Sequence, residues 1–187
     1  MTFVETQWAP LVGYGSHSDA IRGVEVRVRK RESDTLVFQY VLRAEMPRIR
    51  VPSAQSPVRA DELWKHTCFE AFIAVAGAPG YYELNFSPSR RWAVYSFSGY
   101  RAGMSPTNVT VPPALDVRSF DDRLELDAAV RVPDLIGQQP GRMLKLALTT
   151  VVEDDSGTLS YWALKHPRDK PDFHCPDGFV FELAGDL

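Results

Sequence analysis

The chain has 187 residues, 44% of them hydrophobic, and a formal net charge of -3 from 21 Lys and Arg against 24 Asp and Glu. That length can bury a full core within one domain spanning 1–187, and cations this scattered and outnumbered exclude a general phosphate-binding surface, so no nucleic-acid partner is expected. No apolar run approaches the roughly 20 residues of a spanning helix, and MTFVETQWAPLVGYG has no basic stretch followed by an apolar one, so no membrane partner is expected and the compartment reads as cytoplasmic. In a reducing compartment Cys68 and Cys175 are expected as free thiols.

In chain order, residues 1–22 read as an N-terminal extension or first strand. Alternating and β-branched runs then predict strands over 24–30, 36–44, 48–51, 67–75, 81–87, 92–97, 124–132, 144–152, 159–164 and 179–183. Between them stand turn compositions such as Gly-Ala-Pro-Gly, Ser-Pro-Ser-Arg and Asp-Asp-Ser-Gly. Residues 101–113, with Gly103, Pro106, Pro112 and Pro113, read as a loop within the domain. Only 132–137, after Pro133 and before Gly137, suits a helical turn. Short strands joined by tight turns give an all-β fold, an antiparallel β-sandwich or barrel.

The stretch from Leu63 to Tyr100 concentrates the chemistry. Read at period two, Phe69, Ala71 and Ile73 share one strand face, while His66, Cys68, Glu70 and Phe72 share the other. The next strand repeats the arrangement, with Leu84 and Phe86 opposite Tyr81, Glu83 and Asn85. The first face of each strand reads as core, together with Val94, Leu126, Leu146 and Leu148. The second is an apolar face set with polar groups, where a small ligand can lie.

Three segments carry a family resemblance: WKHTCFEAFI, YYELNFSPSRRWAVY, and SYWALKHPRDKPDFHCPDGFVFEL near the C-terminus. Their order and spacing resemble the DOMON-like domains related to family 9 carbohydrate-binding modules, with Trp64, Glu70, Tyr81, Tyr82, Asn85, Trp162, Pro171, Phe173, His174 and Phe179 matching in sequence. The resemblance implies an antiparallel β-sandwich, in agreement with the strand pattern, and a clamp of two aromatic side chains on a terminal sugar.

On the residues themselves, a pyranose packs its apolar face on an aromatic ring while its hydroxyls take fixed polar partners. Trp64 and Trp162 are the expected rings, Glu70, Glu83 and Asn85 the hydrogen-bonding set, and Lys165 and His174 the rim, with His66 beside the same strand. Trp92 alternates with Val94 and reads as core. The expected ligand is a sugar or similar small polar molecule, bound without catalysis and without a cofactor. Two alternatives use the same residues: a haem-binding redox or sensor domain drawing axial ligands from His66, His174 or Met104, and a small enzyme pairing Glu70 with His66 or Cys68. The histidines and cysteines lack the local spacing of a zinc site.

Overall fold

The computed structural model describes residues 7–15, 17–31, 34–137 and 141–184, so residues 1–6 and 16 of the expected N-terminal segment lie outside the described residues. Its strands are β1 (Ala9–Gly13), β2 (Ile21–Arg31), β3 (Thr35–Ala44), β4 (Cys68–Val75), β5 (Tyr81–Phe86), β6 (Trp92–Phe97), β7 (Ser105–Pro106), β8 (Ala114–Ser119), β9 (Arg123–Arg131), β10 (Met143–Glu153), β11 (Leu159–Ala163) and β12 (Phe181–Ala184). All pairs between them are antiparallel. They form one hydrogen-bonded path, β7-β6-β5-β4-β10-β11-β1-β2-β3-β9-β8, with β12 added to β10. Strand β1 turns the corner, pairing with β2 through Ala9, Pro10 and Leu11 and with β11 through Val12 and Gly13.

On either side of that corner the path doubles over one core. Val24, Val26 and Val28 of β2, Leu36, Phe38, Tyr40 and Leu42 of β3, and Leu124, Leu126 and Ala128 of β9 meet Phe69, Ala71 and Ile73 of β4, Leu84 and Phe86 of β5, and Leu144, Leu146 and Leu148 of β10. Every core residue expected from period two, Val94 and Trp92 included, lies in this cluster. Each fully buried large aliphatic or aromatic side chain contributes about 1.5–3 kcal/mol, so strict alternation fixes which face of every strand turns inward. Rings interlock across the layers, with Tyr40 against Phe69 at 5.1 Å and Phe38 against Phe86 at 6.0 Å between centroids. The buried Tyr40 hydroxyl donates to the Glu70 carbonyl at 2.7 Å, which ties β4 to the opposite layer at the residue that matters most below.

Two expectations are corrected. Residues 48–51 do not form a strand: Met46–Arg48 is a 3₁₀ turn started by Pro47, and Ile49 makes only a single bridge to Asp154. Proline supplies no N–H for a ladder and fixes φ for a turn. Strand β8, unanticipated in the sequence, pairs only with β9 and leaves much of its surface in solvent, so its apolar alternation is reduced to Leu115 and Val117. Within the expected loop 101–113, only Ser105–Pro106 forms a short strand, against β6. The helical turn falls where expected, at Pro133–Ile136, and Gly137 ends it with φ 67.

Candidate functional site

The outer face of β10, β4, β5 and β6 builds the site, and strand register sets its geometry. One row across the sheet runs Thr149, Glu70, Asn85, Ala93; the next runs Ala147, Phe72, Glu83, Tyr95; the next places Tyr81 beside Phe97. Glu70 and Glu83 therefore sit diagonally on adjacent strands, pointing to the same side. A cavity of about 510 Å³ opens over them, with Phe72 and Val151 in its floor. Trp64, Phe97, Leu159, Tyr161 and Phe173 wall it, and Lys65, Arg101, Met104, Pro171 and His174 complete the lining.

Both carboxyl groups are buried. Glu70 accepts from the Thr149 hydroxyl at 3.2 Å through Oε2, while Oε1 has no hydrogen-bond partner. Glu83 accepts from the Asn85 amide at 2.8 Å. Burial, followed by the neighbouring Glu83 charge, holds Glu70 protonated well above the usual carboxylate range, against the opposing bond from Thr149. Burial also raises Glu83, against its bond from Asn85 and the field of Arg101.

His174 is held among three aromatic rings, edge-on to Phe72 at 5.2 Å, Phe97 at 5.0 Å and Tyr81 at 5.9 Å. The Tyr81 hydroxyl accepts from the Arg101 backbone N–H at 3.2 Å and lies 2.9 Å from Nδ1 of His174. On the other side of the ring, Nε2 lies 3.7 Å from Glu83 Oε2. Burial, then the Arg101 charge, depresses the imidazole pKa to about 4.

The rim is stitched together by Asp172. Its buried carboxylate accepts from the Arg101 guanidinium at 2.8 Å, from the Tyr100 hydroxyl, and from the His174 backbone N–H at 3.3 Å. These bonds tie the β6–β7 loop to the segment before β12, and Arg101, at φ 52, holds the left-handed backbone that lets both its amide and its side chain turn inward. Trp64 rides on the 3₁₀ turn Leu63–Lys65 and packs edge-on against Tyr95 at 5.8 Å. Tyr95 in turn donates to Asp61 at 2.5 Å and lies under Arg59, so the approach to Trp64 is anchored to β6.

Of the residues singled out in the sequence, Trp64, Glu70, Glu83 and His174 line the cavity, and Asn85 sits behind Glu83 and orients it. The others are placed elsewhere. Trp162 is 5% exposed on the inward face of β11, within the inter-layer core, and donates from Nε1 to Ser160 at 3.2 Å, so it is not the second ring of a clamp with Trp64. The register of β11 on β10 turns Tyr161 outward instead. His66 turns to Glu153, Nδ1 to Oε2 at 2.6 Å, beside Arg50, which donates to the same carboxylate. Lys165 is exposed and does not line the cavity, where Arg101 and Lys65 are the cations. Cys68 lies fully buried with its sulfur toward Asn85 and two backbone carbonyls, and neither cysteine is in a disulfide. Phe97 follows from period two once β5 and β6 are paired; Arg101 and Phe173 stand in loops, where no periodicity marks them.

No protein-family model matches the sequence, and no curated protein does. Among solved structures, the chain is similar to a candidate carbohydrate-binding protein from Bacteroides uniformis, with TM-score 0.69 and 15% identity over 92% of this chain and 84% of that one. It is also similar to a family 9 carbohydrate-binding module from Caldicellulosiruptor kristjanssonii in complex with cellotriose, with TM-score 0.51 and 10% identity over 84% of this chain and 72% of that one. The chain has the fold of the family 9 carbohydrate-binding modules. The family 9-type sandwich thus agrees with the alternation and turn pattern of the sequence, and its outer β10-β4-β5-β6 face carries the buried Glu70, Glu83, Asn85 and Thr149.

Proposed function

We propose that the protein binds a small carbohydrate in the cavity over Glu70 and Glu83, with the sugar ring against aromatic walls and its polar groups on the floor. The observation that carries this reading is a cavity lined by two buried glutamates, Glu70 and Glu83, and walled by Trp64, Phe97, Tyr161 and Phe173, with Oε1 of Glu70 buried and without a partner. An orphaned acceptor in a buried site costs on the order of 1–3 kcal/mol, and a bound donor recovers it. Aromatic faces beside fixed hydrogen-bonding groups match the two surfaces of a pyranose. The structural neighbours, one a candidate carbohydrate-binding protein and one a module holding cellotriose, support the same ligand class.

Trp64 supplies one wall, and Phe97, Tyr161 or Phe173 take the place foreseen for Trp162. Glu83, with Asn85 behind it, is the polar partner that shares the cavity with Glu70; neither His66 nor Cys68 lines it, so the enzymatic pairs foreseen in the sequence are not supported. A calorimetric screen of mono- and oligosaccharides tests the reading. A saturable ligand is expected, weakened roughly tenfold or more in Trp64→Ala, which removes a contact of about 1.5–3 kcal/mol, and the ligand is recovered unchanged. Unaltered affinity in folded Trp64→Ala contradicts the aromatic wall, and turnover of the ligand favours an enzyme using Glu70. Because Met104 and His174 both line the cavity, haem is the second reading, and a Soret band in freshly purified protein decides for it.

A further inference from the structure

The cations around the cavity are paired with carboxylates other than its two buried glutamates. Its lining includes three basic side chains, Lys65, Arg101 and His174. Lys65 is paired with Glu62 at 2.8 Å, Arg101 is engaged by Asp172, and burial with the Arg101 charge keeps His174 neutral. Glu70 and Glu83 receive only neutral donors, Thr149 and Asn85, and Glu83 also stands 3.7 Å from the uncharged His174 ring.

For a neutral polyol this floor is poorly chosen. An amide would accept from hydroxyls without the cost of burying two neighbouring carboxyl groups, which reaches several kcal/mol per ion when they ionise unpaired. A protonated amine reverses that balance: it is a charged donor to the two glutamates that line the cavity, lets the pair ionise, and is attracted to aromatic ring faces. We propose that the cavity takes a sugar bearing a protonated amine, with the ammonium group seated between Glu70 and Glu83 and the ring against the aromatic walls. This rests on the carbohydrate reading above and narrows it to amino sugars.

The titratable and charged groups facing the pair are Cys68 on β4, Tyr81 on β5, Tyr95 on β6, Tyr161 on β11, Lys65 in the turn before β4, and Arg101, Asp172 and His174 in the two rim loops. The two glutamates are themselves buried with pKa values moved upward, so an ammonium group that lets the pair ionise displaces the proton that burial favours.

Calorimetry with D-glucosamine, D-glucose, N-acetyl-D-glucosamine and cyclohexylamine at about pH 6, where a sugar amine is charged, tests this, repeated in buffers of different ionisation enthalpy to count protons. The expected result is glucosamine bound at least roughly tenfold more tightly than glucose or the uncharged N-acetyl sugar, with net proton release, and an advantage lost in both Glu70→Gln and Glu83→Gln. Proton release is read on the unmodified protein, so it stands even if a variant fails to fold. Glucose binding as tightly as glucosamine overturns the amine inference while leaving the carbohydrate reading intact. Cyclohexylamine binding as tightly as glucosamine supports the ammonium seat and removes the carbohydrate reading. Binding of none of the four overturns the ammonium seat.

Discussion

Glu70 is 2% exposed, with one carboxyl oxygen on Thr149 and the other without a partner, so it is stabilised in the folded protein only as the neutral acid. Because its folded pKa is raised, the folded state holds a proton the unfolded chain has lost, and stability falls as pH rises from the unfolded carboxylate value through the folded one. Glu70→Gln removes that ionisation. It is expected to raise stability by about 1–3 kcal/mol at pH 8 and by much less near pH 4, as measured by urea denaturation, while weakening the ligand. A variant less stable than wild type at pH 8 contradicts the burial argument. His174 has the opposite sign. Its pKa of about 4, below the ordinary imidazole value of 6.5, means the unfolded chain takes up the proton first, so stability falls as pH drops from 6.5 toward 4. The full loss is on the order of 3 kcal/mol, and an NMR titration showing the ring protonated at pH 6 rules it out. Glu70, Glu83 and Asn85 were legible as a set because period two and a polar residue on an apolar face are both visible in a sequence, whereas Trp64 and His174, on a turn and in a loop, were legible only through the three family-like segments. Trp162 was misread because both faces of β11 are apolar, and only pairing with β10 decides that Ser160 and Trp162 turn inward and Tyr161 outward.

At the scale of elements, the long central strands were legible because each buries one full face. The weak ones were not: β8 is an exposed edge, β7 has two residues, and 48–51 carried β-branched Ile49 and Val51 without a strand partner beyond one bridge. The hairpins that deliver the site residues depend on close backbone passages. Gly80, at the end of the β4–β5 turn, runs past the last residue of β6, and a Cβ there would lie 2.5 Å from the Phe97 carbonyl oxygen. Backbone atoms cannot swing aside as a flexible side chain does. Gly80→Ala is therefore expected to cost about 1–3 kcal/mol and to disturb the stacked pair Tyr81 and Phe97, 4.8 Å apart, with loss of ligand affinity. Equilibrium denaturation and calorimetry on the same sample read both effects, and a variant as stable as wild type with intact binding shows that this passage is looser than described.

Across the molecule, the two layers divide the work. The β2-β3-β9 layer buries its inward face in the common core and carries a charged outer face, where Arg27 donates to Gln39, Gln39 to Asp127 and Arg118 bridges Asp127 and Glu125. Gln39 is buried and Asp127 and Glu125 half-buried beneath these arginines. The other layer covers its outer face with the loops bearing Trp64, Arg101 and His174, and so encloses polar groups that a free sheet face would leave in water. No helix among the described residues is long and apolar enough to cross a membrane. The central claim is that a carbohydrate lies on the β10-β4-β5-β6 face. Backbone amide shifts recorded by NMR while the tightest sugar from the screen is titrated into the intact protein test it most directly. The account predicts saturable shifts concentrated at Trp64, Glu70, Glu83, Arg101, Tyr161 and His174, with the Gln39 and Asp127 face unmoved; shifts centred on that opposite face, or spread evenly without saturation, would contradict it.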